Sequence, residues 1–360
     1  MQSKVIYDGE IAITSNFPGA DDWIHAHLPT EVSQMNGTGW RGHLQILNSA
    51  AQFDQLQRIA DNSSSKRHPR LYMDETYEHI LLGGQHLFLM RPGAAQSLPH
   101  AVFGSYDTDW KIVVPDASVA SVRQTLRSLR SVLRGYHLDR RGLLMHGATA
   151  GGALFLGPSG AGKTSAAIRF ARLANKPLVS TDRTVLRAGP TGGEVIAIGG
   201  PEVMRLGVGL ARELDDALLT QGSTTRSHQD LKLVQVSGQV FGSKDKLELT
   251  FDDARSSLDI RSQDSTVLSA IVLPRVAESG GAVMRSEDEE SVIEVTRHLL
   301  HPDARHGYPI ASSMLASDEA KSFAVELLAN LPIYRLTWPL DDSDVRRKLF
   351  TELDEALAYA

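Results

Sequence analysis

Apolar residues recur at steps of three and four between Val119 and Tyr136: Val119, Val122, Leu126, Leu129, Leu133 and Tyr136. That spacing predicts an amphipathic helix of about five turns. Pro115-Asp-Ala-Ser118 starts it, with Asp116 or Ser118 as N-cap. The other face carries Arg123, Arg127, Arg130 and Arg134. From Gly142 the pattern changes to short apolar runs. Leu143–Met145 and Ala153–Leu156 read as buried strands, joined by the small-residue turn Gly147–Gly152. A helix is expected over Lys163–Leu173 and a strand over Leu178–Ser180. Further β-type runs are Thr184–Leu186, Glu194–Ile198, Leu231–Val236 and Val267–Leu273. Glu287–Leu300, Ser317–Ala329 and Asp344–Tyr359 read as helices, with a strand at Ile333–Leu336. Ahead of residue 111 the chain is mixed and strand-rich, with strands at Ile11–Thr14 and Leu87–Met90. The polar stretch Asp61–Arg70 reads as an exposed loop. Together these elements predict an α/β protein, with a strand-rich domain over 1–115 and a larger one over 116–360.

Composition narrows the function classes. The chain has 360 residues, no cysteine, and 37 basic against 43 acidic residues. It is long enough to bury a core without covalent staples. Lack of cysteine excludes disulfides and thiolate-held zinc or iron–sulfur sites. The mild acidity argues against a dedicated nucleic-acid binder. No window approaches the roughly 18 apolar residues of a membrane span, and Met1–Ser15 has no apolar signal core, so a cytoplasmic location is expected. The charge is uneven: residues 111–180 hold eleven Lys and Arg against two Asp, a net of +9 that leaves −15 elsewhere. A basic zone in an acidic chain points to an anionic ligand there.

That zone contains Gly157-Pro158-Ser159-Gly160-Ala161-Gly162-Lys163-Thr164, which matches G-x-x-x-x-G-K-[ST] between a predicted strand and a predicted helix. Glycines let the backbone curl so that successive N–H groups face one point. With the helix N-terminus they suit a nucleotide β-phosphate. Lys163 would reach the β- and γ-phosphates, Thr164 would ligate Mg²⁺, and Ser165 completes the nucleotide-binding stretch.

An acid is needed for transfer chemistry. Leu247–Asp253 alternates apolar and polar as a half-buried surface strand does, and Val267–Leu273 ends in Pro274-Arg275 with no acid. Asp182, at the end of Leu178-Val-Ser-Thr-Asp182, lies nineteen residues past Lys163. Strand–loop–helix–strand–Asp would bring this carboxylate beside the γ-phosphate, to take a proton or help hold the metal. The competing reading is a turn-forming Asp ahead of Arg183.

On these residues the chain resembles the HPr kinase/phosphorylase family and its divergent relatives. The likeness spans Leu143 to Met204, with an echo to Val236. It rests on His146-Gly147, the loop Gly157–Thr164, Val179-Ser-Thr-Asp182 and Glu202-Val-Met-Arg205. Tyr334-Arg-Leu-Thr-Trp-Pro339 is similar to a closing strand of those relatives. The resemblance implies a phosphoenolpyruvate-carboxykinase-like P-loop domain that uses ATP and Mg²⁺ to phosphorylate a serine hydroxyl. It implies Asp182 as base, His146 near the γ-phosphate, Glu202 on the magnesium side with Thr164 and Asp182, Arg205 in the same segment, and Lys232 as a basic residue stabilising transferred phosphate. The first of the family's paired aspartates is Thr181 here, and its Pro-, Arg- and Gly-rich recognition loop is not found. The expected acceptor is therefore a Ser or Thr of a peptide or protein other than HPr. The alternatives are a small-molecule hydroxyl kinase and a nucleotide-binding regulatory module without transfer. Homo-oligomerisation is common in the family.

Other residues invite a functional reading. His146 on residue type alone reads as a core histidine. His25 and His27, two apart beside Asp21 and Asp22, would share a strand face, where a solvated face outweighs a metal site. The Arg stripe suits either an acidic ligand or structural ion pairs. Arg205 and Arg275 are candidate stabilisers of transition-state charge.

Overall fold

The structure is a computed structural model that describes residues 3–7, 11–17, 20–29, 42–64, 66–67, 77–91, 98–105, 109–191, 193–214, 246–277, 280–286, 294–300, 317–339 and 342–358. The chain is mixed α/β. Its contacts form two compact units: of the described residues the first holds those in 3–25 and 42–141, and the second those in 26–29, 142–300 and 317–358.

The first unit carries β1 (Ser3–Tyr7), β2 (Ile11–Ser15), α1 (Ala20–His27, which runs on past its edge), β3 (Gly42–Asn48), α2 (Ala50–Asp61), β4 (Lys66–Arg67), β5 (Glu78–Leu82), β6 (Gln85–Met90), β7 (His100–Gly104), β8 (Trp110–Val114) and α3 (Val119–Leu138). Among the described residues the strands form one eight-stranded sheet ordered β1-β2-β3-β8-β7-β6-β5-β4. β2, β3 and β8 run parallel and the other pairs antiparallel. Ser49 caps α2 by accepting from Gln52 N, and Phe53 and Ala60 pack on Ile80, Leu87, Leu89 and Val113.

Ser118 is the N-cap of α3, and Asp116 braces it by accepting from Ser118 N and Ser121 Oγ. Leu126, Leu129, Leu133 and Tyr136 of the apolar stripe are buried and Val122 is half-buried, but Ser121, Gln124, Thr125, Ser128, Arg134 and His137 are buried too. The helix is therefore enclosed round most of its girth, and of the Arg stripe Arg127 is exposed while Arg130 is half-buried. It belongs with the first unit, where it packs on β8, so the unit boundary lies after it rather than at 115/116. Asp22, His25 and His27 sit on helix α1, not a strand, and His27 is buried. Residues two apart on a helix do not share a face.

The second unit follows as β9 (Leu143–Met145), β10 (Gly147–Ala150), β11 (Ala153–Leu156), α4 (Lys163–Leu173), β12 (Leu178–Ser180), β13 (Thr184–Ala188), β14 (Val195–Ile198), β15 (Met204–Gly207), α5 (Val208–Leu214), β16 (Lys246–Leu249), α6 (Phe251–Leu258), β17 (Ser265–Val267), β18 (Ala270–Ala277), β19 (Ala282–Ser286), α7 (Ser317–Leu328), β20 (Ile333–Pro339) and α8 (Ser343–Ala358). Its centre is a mixed six-stranded sheet, β12-β10-β11-β18-β20-β19, in which β11, β18 and β20 run parallel. Alternate residues split between two faces. Ala153 and Phe155 meet α4, α6 and α8 through Phe170, Ala254 and Phe350. Leu154 and Leu156 meet Leu143, Leu186 and Val195 of the four-stranded sheet β17-β14-β13-β9, with Leu328 of α7.

Several expected elements of this unit differ. Gly147–Ala150 is a buried strand rather than a turn, and β9 joins the other sheet. At Gly147 a Cβ would lie 2.6 Å from Leu156 Cδ2, so the small residues there serve close strand packing. Val267–Leu273 splits at Leu268-Ser269, where the chain passes from the four-stranded to the six-stranded sheet. Leu247–Asp253 ends its strand at Leu249, because Thr250 and Asp253 form a capping box that opens α6. Leu231–Val236 lies outside the described residues.

Candidate functional site

Strand β11 is internal to the sheet, between β10 and β18, and ends at Leu156. The chain then turns through Gly157–Gly162, with Ala161 N donating to Pro158 O at 3.2 Å. Gly160 and Gly162 have φ of 87° and 91°, a region that favours glycine. A Cβ on Gly162 would stand 2.9 Å from Trp338 Cζ2 and 3.2 Å from Val276 Cγ2. Gly162→Ala is therefore expected to cost about 1–3 kcal/mol of stability, read as a lowered urea midpoint.

Gly162 is also the N-cap of α4, with no side-chain cap and no acid in the first turn. The electropositive end of the helix thus faces the loop. Lys163, 8% exposed, donates from Nζ to Gly157 O at 2.8 Å and Pro158 O at 3.1 Å. Two of an ammonium's three donors are thereby set by the loop itself, which holds the charge at its mouth.

Behind the loop is a charged cluster whose two arginines, Arg169 and Arg346, are buried. Arg169 of α4 pairs through both Nε and Nη2 with Glu213 of α5, and stacks at 4.5 Å over the Trp338 ring. Arg346 of α8 adds a bond to Glu213 at 3.2 Å. Burial raises the Glu213 pKa, but the two guanidinium groups hold it below the usual carboxylate range. The loop therefore abuts a ring that is itself clamped to three helices.

The end of β12 is tied to the loop by one bond: Thr164 Oγ1 donates to Thr181 O at 2.8 Å. Thr181 is held from its other side by Glu202, which is 2% exposed and accepts from Thr181 N and from Thr181 Oγ1, the latter at 2.8 Å. A hydroxyl chain of Thr149, Thr184 and Ser180 links β10, β13 and β12 beneath. Asp182 follows with its carboxylate 53% exposed. Its Oδ1 is 3.5 Å from His146 Nε2 and its Oδ2 is 3.4 Å from Arg183 Nε. His146 stands between β9 and β10.

Lys163, Thr164, Asp182, His146 and Glu202 are thus brought into one chain of contacts, through Thr181. Glu202 is used by its Oε1 to brace Thr181. Arg205 faces outward, with its Nε 3.1 Å from Glu248, its cross-strand partner in β15–β16. Arg275 is exposed on β18, three residues past its last pair with β11 at Phe155↔Val272, and lies opposite Thr337 of β20. Lys232 lies outside the described residues. Arg183 and His298 were not legible as site residues. His298 O accepts from His146 N at 2.8 Å, and the His298 ring is influenced by Lys163 and His146. It falls in the helix expected over Glu287–Leu300, whereas only Glu294–Thr296 of the described stretch is helical.

Among the described residues no group of three or more His, Asp or Glu is placed to hold a metal ion. Magnesium needs fewer, since one or two protein oxygens and substrate phosphates suffice. Thr164 sends its proton to Thr181 O, so its oxygen lone pairs can face a cation. Asp182 offers an exposed carboxylate. These two fit Mg²⁺, and Glu202 fits less well because Oε1 is already an acceptor twice. No helix among the described residues is long and apolar enough to cross a membrane. The sequence matches no protein-family model, and no curated protein matches it.

Proposed function

We propose that this chain is an ATP- and Mg²⁺-dependent kinase of the HPr-kinase-like type, with a P-loop at Gly157–Ser165, acting on a Ser or Thr hydroxyl of a peptide or protein other than HPr. The observation that carries the reading is the Thr164 Oγ1–Thr181 O bond, which joins the start of the helix after the glycine loop to the strand end bearing Asp182. Loop amides, the α4 N-terminus and Lys163 bind the phosphates. Thr164 and Asp182 hold Mg²⁺, which when bound neutralises phosphate charge. Asp182 also orients the acceptor hydroxyl and takes its proton, while His146 positions Asp182. Glu202 fixes Thr181 and so the approach of Asp182. Arg275, exposed on the strand beside β11, is a better candidate than Arg205, which is engaged by Glu248, to stabilise charge on the transferring group.

Thr181 favours one other reading, a nucleotide-binding module without transfer. It stands where the family has a first aspartate, and its hydroxyl and amide are spent on Glu202. The test is titration of the chain with Mg-ATP, then mass spectrometry of candidate acceptors after incubation. Wild type is expected to bind ATP and yield a product 80 Da heavier, about the mass of one phosphoryl group. Lys163→Ala should lose about tenfold or more in ATP affinity. Binding without any product would select the module, and no binding would refute both.

A further inference from the structure

The first unit places three side chains of a different chemistry in one line. Its strands β2, β3 and β8 are neighbours and run parallel, with Ala12 opposite His43 and Thr14 opposite Gln45. Partners in register share a face, and so do residues two apart on one strand, so Thr14 and His43 lie on the same face. Asp109 directly precedes β8, whose Trp110 pairs with Leu44, and it therefore stands level with His43. Thr14 Oγ1 is 2.9 Å from His43 Nε2, and His43 Nδ1 is 3.3 Å from Asp109 Oδ2.

These contacts fix the direction of the protons. An ionised carboxylate only accepts, so His43 Nδ1 carries the hydrogen that Asp109 receives. In the neutral ring Nε2 is then the lone-pair nitrogen, and the Thr14 hydroxyl donates to it. Hydroxyl, base and orienting carboxylate, in that order, are what activates a nucleophile.

The line of groups is within reach of a ligand. On the same face α2 covers the far ends of the strands, where Leu47, opposite Val113, packs on the cluster around Phe53. At the near ends His43 and Asp109 keep 29% and 58% of their side chains exposed, and Thr14 is half-buried. Water would satisfy polar groups so placed, so their bonds to each other add little stability. Beside Thr14 in register stand Gln45 and then Lys111, both half-buried on that face. A side-chain amide and an ammonium are donor types that stabilise a carbonyl oxygen as it gains negative charge.

We propose that Thr14, His43 and Asp109 act as nucleophile, base and positioning group in the cleavage of carboxylic esters, an activity of the first unit that goes beyond the nucleotide reading above. In the first step Thr14 Oγ1 bonds to the ester carbonyl carbon as His43 Nε2 takes the hydroxyl proton. The bond from that carbon to the alcohol oxygen then breaks, His43 gives the proton to the departing alkoxide, and the acyl group stays on Thr14. In the second step water attacks the same carbon and gives a proton to His43. Thr14 departs as the alkoxide, recovers that proton, and the carboxylic acid is released. Asp109 takes no proton and holds the ring in the required tautomer.

The experiment follows hydrolysis of p-nitrophenyl acetate by the full chain, with mass spectrometry of the peptide that contains Thr14. Wild type should hydrolyse the ester and carry an acetyl group on Thr14 when quenched during turnover. Thr14→Val keeps the side-chain shape and removes the hydroxyl. It should lose about 10²-fold or more in kcat/KM, and Thr14→Ser should restore most of the loss. His43→Gln should fall about as far as Thr14→Val. Asp109→Asn should lower kcat about tenfold or more with KM within about twofold, as loss of an orienting group does. Wild type that hydrolyses no faster than Thr14→Val, or acetylation confined to other residues, would overturn the inference. Should Thr14→Val not fold, the acetyl group on wild-type Thr14 and its loss in His43→Gln decide. ATP titration tests the nucleotide reading separately, so either can fail alone.

Discussion

Asp182→Asn is expected to lower the transfer rate by about 10²- to 10⁴-fold while ATP affinity stays within about twofold. The side chains are nearly the same size, so the turn after β12 should survive. Thr181, not Asp182, carries the bonds to Thr164 and Glu202 that hold this turn. What the amide loses is the capacity to accept a proton. On the proposed reading Mg²⁺ would be shared with Thr164 and the phosphates, so binding should change far less than turnover. Single-turnover transfer and ATP titration on the same preparation separate the two. A variant that transfers at the wild-type rate would remove Asp182 from the role of base. One that loses binding and rate in proportion would make it chiefly a metal ligand.

Acidification should weaken the first unit well before ordinary carboxylates titrate. His100 is 1% exposed, and burial pushes its pKa down to about 4, with Arg127 lowering it and the bond to Leu98 O opposing. Nδ1 donates to Leu98 O at 2.7 Å, so Nε2 is the acceptor for the Gln124 amide at 3.0 Å. A second ring proton would meet that amide head-on. The folded pKa lies below the unfolded value, so the full stability is present above about pH 6.5. It is lost as pH falls from there towards 4, where the unfolded chain binds a proton that the folded chain refuses. One group contributes about 1.4 kcal/mol per pH unit across that window. His79, stacked on Phe88 and hydrogen-bonded to His86 at 3.0 Å, is also lowered to about 4 by burial, with His86 and Arg67 adding to it. It is half-buried and should contribute less. Urea unfolding at pH 7 and pH 4.5 should show a loss of about 2–3 kcal/mol, and His100→Gln should flatten that dependence. An unchanged slope in the variant would mean that His100 does not carry it.

Local chemistry explains which features could be read ahead of the fold. The helix Lys163–Leu173 and the strand Leu178–Ser180 have the expected bounds, because a glycine loop, a helix start and an apolar run are written in consecutive residues. The glycines at 160 and 162 do adopt positive φ. Asp182 was singled out because it follows the next strand. The α2 helix is not legible in the pattern despite its Ser49 cap, since only Phe53 and Ala60 are buried on its face and the period is weak. The helix expected over Glu287–Leu300 is present, among the described residues, only at Glu294–Thr296, because pairing with β9 takes over at Leu299.

Sequence alone was enough for the mixed α/β class, the glycine loop and the acid one strand later, since each depends on neighbours within about one supersecondary unit. The partners of those residues were settled by folding. Glu202 braces Thr181 across 21 positions, Arg205 turns to Glu248 across 43, and His298 reaches His146 across a gap of more than a hundred. Sheet order and strand register make those contacts, and neither is encoded in spacing along a single strand. They decide which charges meet at the loop, because electrostatic and hydrogen-bond interactions depend on separation in space and not along the chain.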